Sequence, residues 1–147
     1  MTVSKMTAED VPAAAALDRR LFSGECWSEE DFYASLSDPS RLFFAAYEGE
    51  RFLGCCGLQQ SFEQGDVLTV GVDPDLRRKG VGSALLTALI EAFRQQGGLT
   101  LFLEVRASNT PARHLYEKFG FRQIGIRRSY YQQPLEDGLV YCLEVQA

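Results

Sequence analysis

Arg77-Arg78-Lys79-Gly80-Val81-Gly82-Ser83 lies between an apolar run ending Val70-Gly71-Val72-Asp73-Pro74 and an amphipathic stretch from Val81 to Phe93. A strand, a turn and a glycine loop that opens a helix make an anion cradle. The first N–H groups of the helix have no intrahelical acceptor, and the positive end of the helix dipole points the same way. Glycine at 80 and 82 removes Cβ atoms that would hold a phosphate away from those donors. The competing reading is a tight turn that carries surface arginines. Two other phosphate motifs are excluded. A P-loop needs lysine before its Ser/Thr, but Val81-Gly82-Ser83 has none there. A dinucleotide fingerprint needs a third glycine directly after the first strand.

Glu104 sits in Leu101-Phe-Leu-Glu-Val105, near the end of the most apolar strand candidate. A carboxylate there is costly without a partner or a function, and desolvation would raise its pKa and suit it to general-base work near neutral pH. The alternative is a solvated face on which Glu104 pairs with Arg106 or Arg113. Tyr116 is either a weak acid in a site or a helix-face aromatic beside Leu115 and Phe119. Asn109 reads first as a helix cap, and His114 as a solvated surface residue. Cys26, Cys55, Cys56 and Cys142 form no C-x-x-C pair and read as small buried hydrophobes. Tyr130-Tyr131 is an aromatic recognition patch or a strand-edge filler.

These residues need elements to hold them. Thr7 to Asp10 has capping-box spacing before a first helix near residue 8, and Ser28 opens a second that stops before Pro39. Residues 43–47 and 52–60 read as antiparallel strands joined at Glu48-Gly49-Glu50, with a third strand over 66–72. Val81, Leu85, Leu89 and Phe93 form the stripe of a helix ended by Gly97-Gly98. Strand 99–105 lacks clean alternation, which predicts burial on both faces. A short helix from Asn109 to Gly120 precedes strands near 121–128 and 138–146. The order predicts a mixed α/β fold, a mostly antiparallel central sheet flanked by about four helices, and not a Rossmann fold.

Length and composition set the bounds. A chain of 147 residues, 46% hydrophobic and 24% charged, fits one globular domain. No apolar run reaches the roughly 20 residues that cross a bilayer, and the first ten residues lack a signal-peptide core, so a cytoplasmic protein without a membrane partner is expected. A single histidine argues against a metal site. A net charge of −5 argues against a nucleic-acid partner and is compatible with a cationic one.

Taken together, Val70-Gly-Val-Asp-Pro-x-x-Arg77-Arg-Lys-Gly-Val-Gly82, Leu103-Glu-Val-Arg-Ala-Ser-Asn109 and Leu115-Tyr-Glu-Lys-Phe-Gly-Phe121 resemble the GNAT family of acetyl-CoA-dependent N-acetyltransferases. Within it, Trp27-Ser28 with Phe32, and Arg127-Arg-x-Tyr130-Tyr131 leading to Glu136-Asp137, resemble the ribosomal-protein-alanine N-acetyltransferases. The resemblance implies acetyl-CoA as co-substrate, its pyrophosphate on the N–H groups of Arg78 to Ser83 and its pantetheine arm along Val70, Gly71 and Val72. One of those strand N–H groups would polarise the thioester carbonyl. It implies Glu104 as the base for the acceptor ammonium, Tyr116 as the acid for the departing thiolate, and Asn109 as a coenzyme contact. The acceptor implied is a protein N-terminal α-amine, the alanine of a small-subunit ribosomal protein. Rival readings are a small-molecule amine as acceptor, or a module that binds coenzyme without turnover. Glu25, Glu29, Glu30, Asp31, Glu136 and Asp137 would attract a basic peptide, or simply form a solvated face. Gly24-Glu25-Cys26 departs from the subgroup, where proline commonly adjoins the tryptophan. Gly138 departs from it too, where alanine commonly follows the aspartate.

Overall fold

The structure, a computed structural model, describes residues 1–22, 26–76, 79–132 and 134–145. Its strands are β1 (Thr2–Lys5), β2 (Arg41–Glu48), β3 (Arg51–Ser61), β4 (Gln64–Val72), β5 (Thr100–Arg106), β6 (Arg122–Tyr131) and β7 (Glu136–Glu144). They form one seven-stranded sheet in the order β1-β2-β3-β4-β5-β7-β6. Only β4 and β5 run parallel; every other neighbouring pair is antiparallel. The helices are α1 (Val11–Leu21), α2 (Glu29–Leu36), α3 (Val81–Gln95) and α4 (Thr110–Lys118). The mixed α/β architecture is the expected one. The edge strand β1 is an addition, because only Val3 in it is even partly covered and no alternation marks it.

Local chemistry explains the helix ends. Ser28 and Asp31 cap each other at the start of α2, with Asp31 N–H on Ser28 Oγ at 3.1 Å and Ser28 N–H on Asp31 Oδ2 at 2.9 Å. The Thr7–Asp10 box is present too, but it opens a single 3-10 turn before α1 begins at Val11. Helix α3 ends at Gly97, whose φ of +84° suits glycine, and Gly98 N–H returns to Phe93 O at 2.9 Å.

The helices cover both faces of the sheet. Adjacent Cys55 and Cys56 on β3 show the two sides. Cys55 packs with Val11, Ala15, Phe32 and Phe43 beneath α1 and α2. Cys56 packs with Leu85, Leu89 and Phe93 beneath α3. Burial pushes the Cys55 thiol up to about 12 and Cys56 up as well, so both behave as inert small hydrophobes at neutral pH. Cys142 is buried in the same way, whereas Cys26 is exposed, against expectation.

Strand β5 also differs from its reading. It alternates cleanly, with Leu101, Leu103 and Val105 buried and Thr100, Phe102, Glu104 and Arg106 half-covered on the other face. Phe102 on the open face made the run look doubly buried. Glu104 therefore points to a partly open surface rather than into a closed core.

Two features of the sheet shape its middle. Strands β4 and β5 pair at only three positions, Gln64–Thr100, Gly65–Leu101 and Asp66–Phe102, and then part. Just there, Thr69 pairs with Gly57 and Val67 with Leu58, so Leu68 is an extra, bulged residue in β4. A bulge bends its strand and increases local twist, which turns the rest of β4 away from β5.

One carboxylate ties α1 to that bend. Val11, Ala14, Ala15 and Asp18 form the i, i+3, i+4, i+7 stripe of α1, so Asp18 is carried into the interior and is 3% exposed. It accepts Trp27 N–H at 2.6 Å and bonds the Thr69 side chain. The Trp27 ring in turn lies 5.2 Å from Phe32 and 5.6 Å from Phe43. Burial raises the Asp18 carboxyl above its ordinary 3.8 despite these bonds. A carboxyl raised on folding contributes stability below its unfolded value and loses it as pH climbs through the folded one. Wild-type stability relative to Asp18→Asn, read from urea midpoints, is therefore expected to be greatest below the carboxyl's ordinary 3.8 and to decline as pH rises above it. A relative stability that rises with pH contradicts the account.

Candidate active site

Beyond Asp66 and Phe102 the two strands enclose a cleft of about 480 Å³. Its walls are Val67 to Val70 of β4 and Leu103 to Arg106 of β5. Each strand keeps its outer ladder, β4 with β3 as far as Val72–Gly54 and β5 with β7 as far as Arg106–Gly138. The inner edges lack each other. Backbone N–H and C=O groups in mid-sheet demand partners, so this gap suits an extended ligand with amide groups of its own. Asp18, Phe22 and Trp27 line one side; Tyr130 and Tyr131 of β6 line another; Asn109 and Tyr116 come from α4.

Glu104 reaches the cleft from β5. Its Oε1 takes Arg127 Nε at 2.8 Å, with the two side chains 25% and 57% exposed respectively. The expected partners Arg106 and Arg113 are engaged elsewhere. Arg106 pairs with Glu136 at 3.1 Å, bonds the carbonyls of Gln132 and Pro134, and lies over the Tyr131 ring. Arg113 donates to Ala107 O and to the Tyr141 hydroxyl.

Tyr116 fits both of its readings at once. Its ring is buried, 5.7 Å from Phe121 in an edge-on arrangement, yet it also lines the cleft. Burial, with smaller contributions from Cys56 and Tyr131, drives its pKa upward, so the phenol stays protonated at neutral pH. Asn109 likewise caps α4, its Oδ1 accepting Ala112 N–H at 3.3 Å, while bordering the cleft. His114 is exposed, as expected.

Val70, Gly71 and Val72 run along the parted edge of β4 to the start of α3. Lys79 is an exposed turn residue, and Gly80 caps α3 with φ +82°. The first intrahelical bond runs from Ala84 N–H to Gly80 O at 3.0 Å, which leaves the N–H groups of Val81, Gly82 and Ser83 for other acceptors. Arg77 and Arg78 lie outside the described residues.

Each glycine also has a role within the fold itself. A Cβ on Gly80 would meet open space, so Gly80 is needed for its left-handed backbone. A Cβ on Gly82 would come 2.9 Å from Leu115 Cδ2, so Gly82 lets α4 pack against the first turn of α3. The start of α3 thus depends on its contact with α4 as well as on the loop.

The acidic residues are also more committed than their clustering suggested. Asp31 serves the α2 cap. Glu136 accepts Arg106 and both N–H and Oγ of Ser108, which lowers its pKa despite burial. Asp137 accepts Arg128 and the Ser129 N–H. Glu29 and Glu30 remain exposed on α2, and Glu25 lies outside the described residues.

Asp18 and Arg127 are the two site groups that the sequence reading assigned no role. Asp18 had a usable signal, a carboxylate on the apolar stripe of α1. Arg127 stood within a subgroup motif, but its approach to Glu104 depends on strand order and no local signal gives it.

Residues 11–121 match the acetyltransferase (GNAT) family. The [Ribosomal protein bS18]-alanine N-acetyltransferase of Escherichia coli K12 is 38% identical over 137 residues, 93% of this chain and 90% of that protein. The N-alpha-acetyltransferase RimI of Mycobacterium tuberculosis is 34% identical over 138 residues, 90% and 85% of the two chains. Among solved structures, the ribosomal-protein-S18-alanine N-acetyltransferase from Escherichia coli superposes with a TM-score of 0.89 at 34% identity, over 99% of this chain and 94% of that one. An aminoglycoside 6'-N-acetyltransferase complexed with coenzyme A shares the fold, with a TM-score of 0.87 at 16% identity over 100% and 98% of the chains. The chain belongs to the acetyltransferase (GNAT) family and is an acetyl-CoA-dependent N-acetyltransferase.

Proposed function

We propose that the protein transfers acetyl from acetyl-CoA to the α-amine of a protein that begins with alanine, a bS18-type ribosomal protein being the acceptor. The observation that carries this reading is the parted β4–β5 cleft, which holds Glu104 and Tyr116 together and opens between Trp27 on one side and Tyr130 and Tyr131 on the other. The names of the relatives from Escherichia coli and Mycobacterium tuberculosis support the acceptor class.

Residue chemistry assigns the steps. Pantetheine pairs along Val70, Gly71 and Val72, whose inner edge faces the gap, and one of their N–H groups steadies the thioester oxygen. The pyrophosphate rests on the first N–H groups of α3, at Val81 to Ser83, with Lys79 and the neighbouring Arg77 and Arg78 supplying positive charge, and Asn109 borders the coenzyme. An α-amine with a pKa of roughly 7.7–8.0 is largely protonated at pH 7 and must shed a proton before it attacks. Glu104 takes that proton. The amine lone pair forms the new C–N bond, the C–S bond breaks, and Tyr116 gives its proton to the departing thiolate. The nitrogen's second proton leaves as the neutral amide forms and replaces the one Tyr116 gave up, while the proton on Glu104 passes to solvent. A buried, firmly protonated phenol suits the donation to the thiolate, and no covalent intermediate on the protein is needed.

Two measurements check this reading. Acetyl-CoA and a synthetic peptide that begins with alanine and contains an internal lysine should yield a single acetyl group, which fragment-ion mass spectrometry places on the α-amine. Acetylation of the lysine instead, or only of added polyamines or amino sugars, would contradict the acceptor class. Glu104→Gln should lower kcat by about a hundred- to ten-thousand-fold, and Tyr116→Phe should lower it with the buried ring retained, both with the acetyl-CoA KM near wild type. Unchanged kcat in either variant removes that residue from the chemistry.

A further inference from the structure

The Glu104–Arg127 pair deepens the proposed reading and rests on Glu104 as the base. Arg127 stands two strands away on β6. It aligns with Gly138 of β7, and Gly138 aligns with Arg106 of β5, while Glu104 aligns with Val140 one position further along that face. Residues directly opposite one another share a face, so Arg127 and Glu104 lie on the same face on either side of β7. The space over Gly138 itself is taken by the side chains of Tyr130 and Tyr131, 3.1 and 3.2 Å from where a Cβ would stand.

Strand β6 is shaped to present the Arg127 arm. Between Arg127–Gly138 and Tyr131–Glu136, β6 carries two more residues than β7, and Ser129 within that bulge has φ +52°. Asp137 holds the bulge by accepting Ser129 N–H at 2.9 Å and Arg128 at 3.2 Å. Arg128 is thereby turned to Asp137 while Arg127 goes to Glu104, with its guanidinium carbon 5.3 Å from the Tyr130 ring centroid. Tyr130 itself borders the cleft.

The acceptor nitrogen loses its proton to Glu104 directly or through one water, and the direct route brings it within hydrogen-bond reach of the carboxylate. Arg127 Nε–H already sits at that distance on Oε1. An ammonium brought alongside would also meet a like charge. The pair is more than half exposed on the arginine side, and ion pairs of that kind are weak and readily exchanged.

We propose that Arg127 is a displaceable stand-in for the acceptor's ammonium: it occupies Glu104 in the free protein and yields that hydrogen bond when a cationic amine enters. The protein then favours amines that arrive charged, because an ammonium replaces the lost ion pair and a neutral nitrogen does not. The arginine swings away beside Tyr130, so its release is coupled to an aromatic wall of the cleft.

The test uses Arg127→Gln, Arg127→Lys, Glu104→Gln and the Arg127→Gln/Glu104→Gln double variant. Binding of the alanine-initiated peptide to coenzyme A-saturated protein is read by calorimetry, and steady-state kinetics are read with acetyl-CoA. Arg127→Gln should tighten peptide Kd and lower peptide KM by about two- to five-fold, the size expected for an exposed ion pair, with the acetyl-CoA KM unchanged. Arg127→Lys should stay near wild type, and in the Glu104→Gln background the Arg127 substitution should no longer alter peptide Kd. An unchanged or weakened Kd in Arg127→Gln overturns the proposal. So does a loss of kcat with peptide binding unmoved, which would make Arg127 a positioning residue for Glu104. Wild-type kcat in Glu104→Gln would refute the base reading alone, since the binding comparison decides the arginine separately.

Discussion

Strands β4 and β5 begin as neighbours, pair at three positions, and then each keeps only its outer ladder. A sheet interrupted in its middle leaves two rows of backbone donors and acceptors that nothing in the fold satisfies by strand pairing. Such a gap persists only if both halves are held independently. On one side, β1 to β4 are clamped between α1 and α2 above and α3 below; on the other, β5 and β7 close with β6. The bulge at Leu68 and the Asp18–Thr69–Trp27 bonds sit where the strands separate, so the bend of β4 and the loop before α2 form one structural unit.

Function follows from what faces that gap. Clean alternation along β5 sends Leu103 and Val105 into the core and Glu104 outward to the cleft. Helix α4 contributes Tyr116 and Asn109, and its Leu115 needs the bare Gly82 to approach the first turn of α3. The first turn of α3 and the Tyr116 phenol, the proposed coenzyme cradle and the proposed acid, are thus positioned by the same helix contact. Charge is distributed with similar economy. Arg106 pairs with Glu136 and bonds the hairpin carbonyls, Arg128 pairs with Asp137, and Arg127 pairs with Glu104. Glu104 also bears on its neighbour Asp66, whose carboxyl is raised by burial and by that negative charge.

Much of this was legible in the residues. Helical periodicity from Val81 to Phe93, the reciprocal Ser28–Asp31 cap and the turn at Gly49 are local signals, and each element lies where local chemistry predicts it. The glycine loop, Glu104, Asn109 and Tyr116 were legible through motif spacing, and all of their described members border the cleft or lead from it to α3. Three things were not. Strand β1 is an edge whose side chains are mostly exposed, so no pattern marks it. Phe102 on the open face of β5 masked a real alternation. The partner of Glu104 depends on β7 lying between β5 and β6, a non-local fact that no spacing along the chain encodes.

The central claim is that the parted edge of β4 is the seat of the coenzyme. Amide hydrogen exchange, resolved by residue and compared with and without acetyl-CoA, tests it most directly. Binding should slow exchange at the N–H groups facing the gap within Val70 to Val72 and at Val81 to Ser83, while Gly65, Asp66 and the β2–β3 ladder stay as they were. Unchanged exchange along both segments at saturating acetyl-CoA, or protection confined to another surface, would contradict the account.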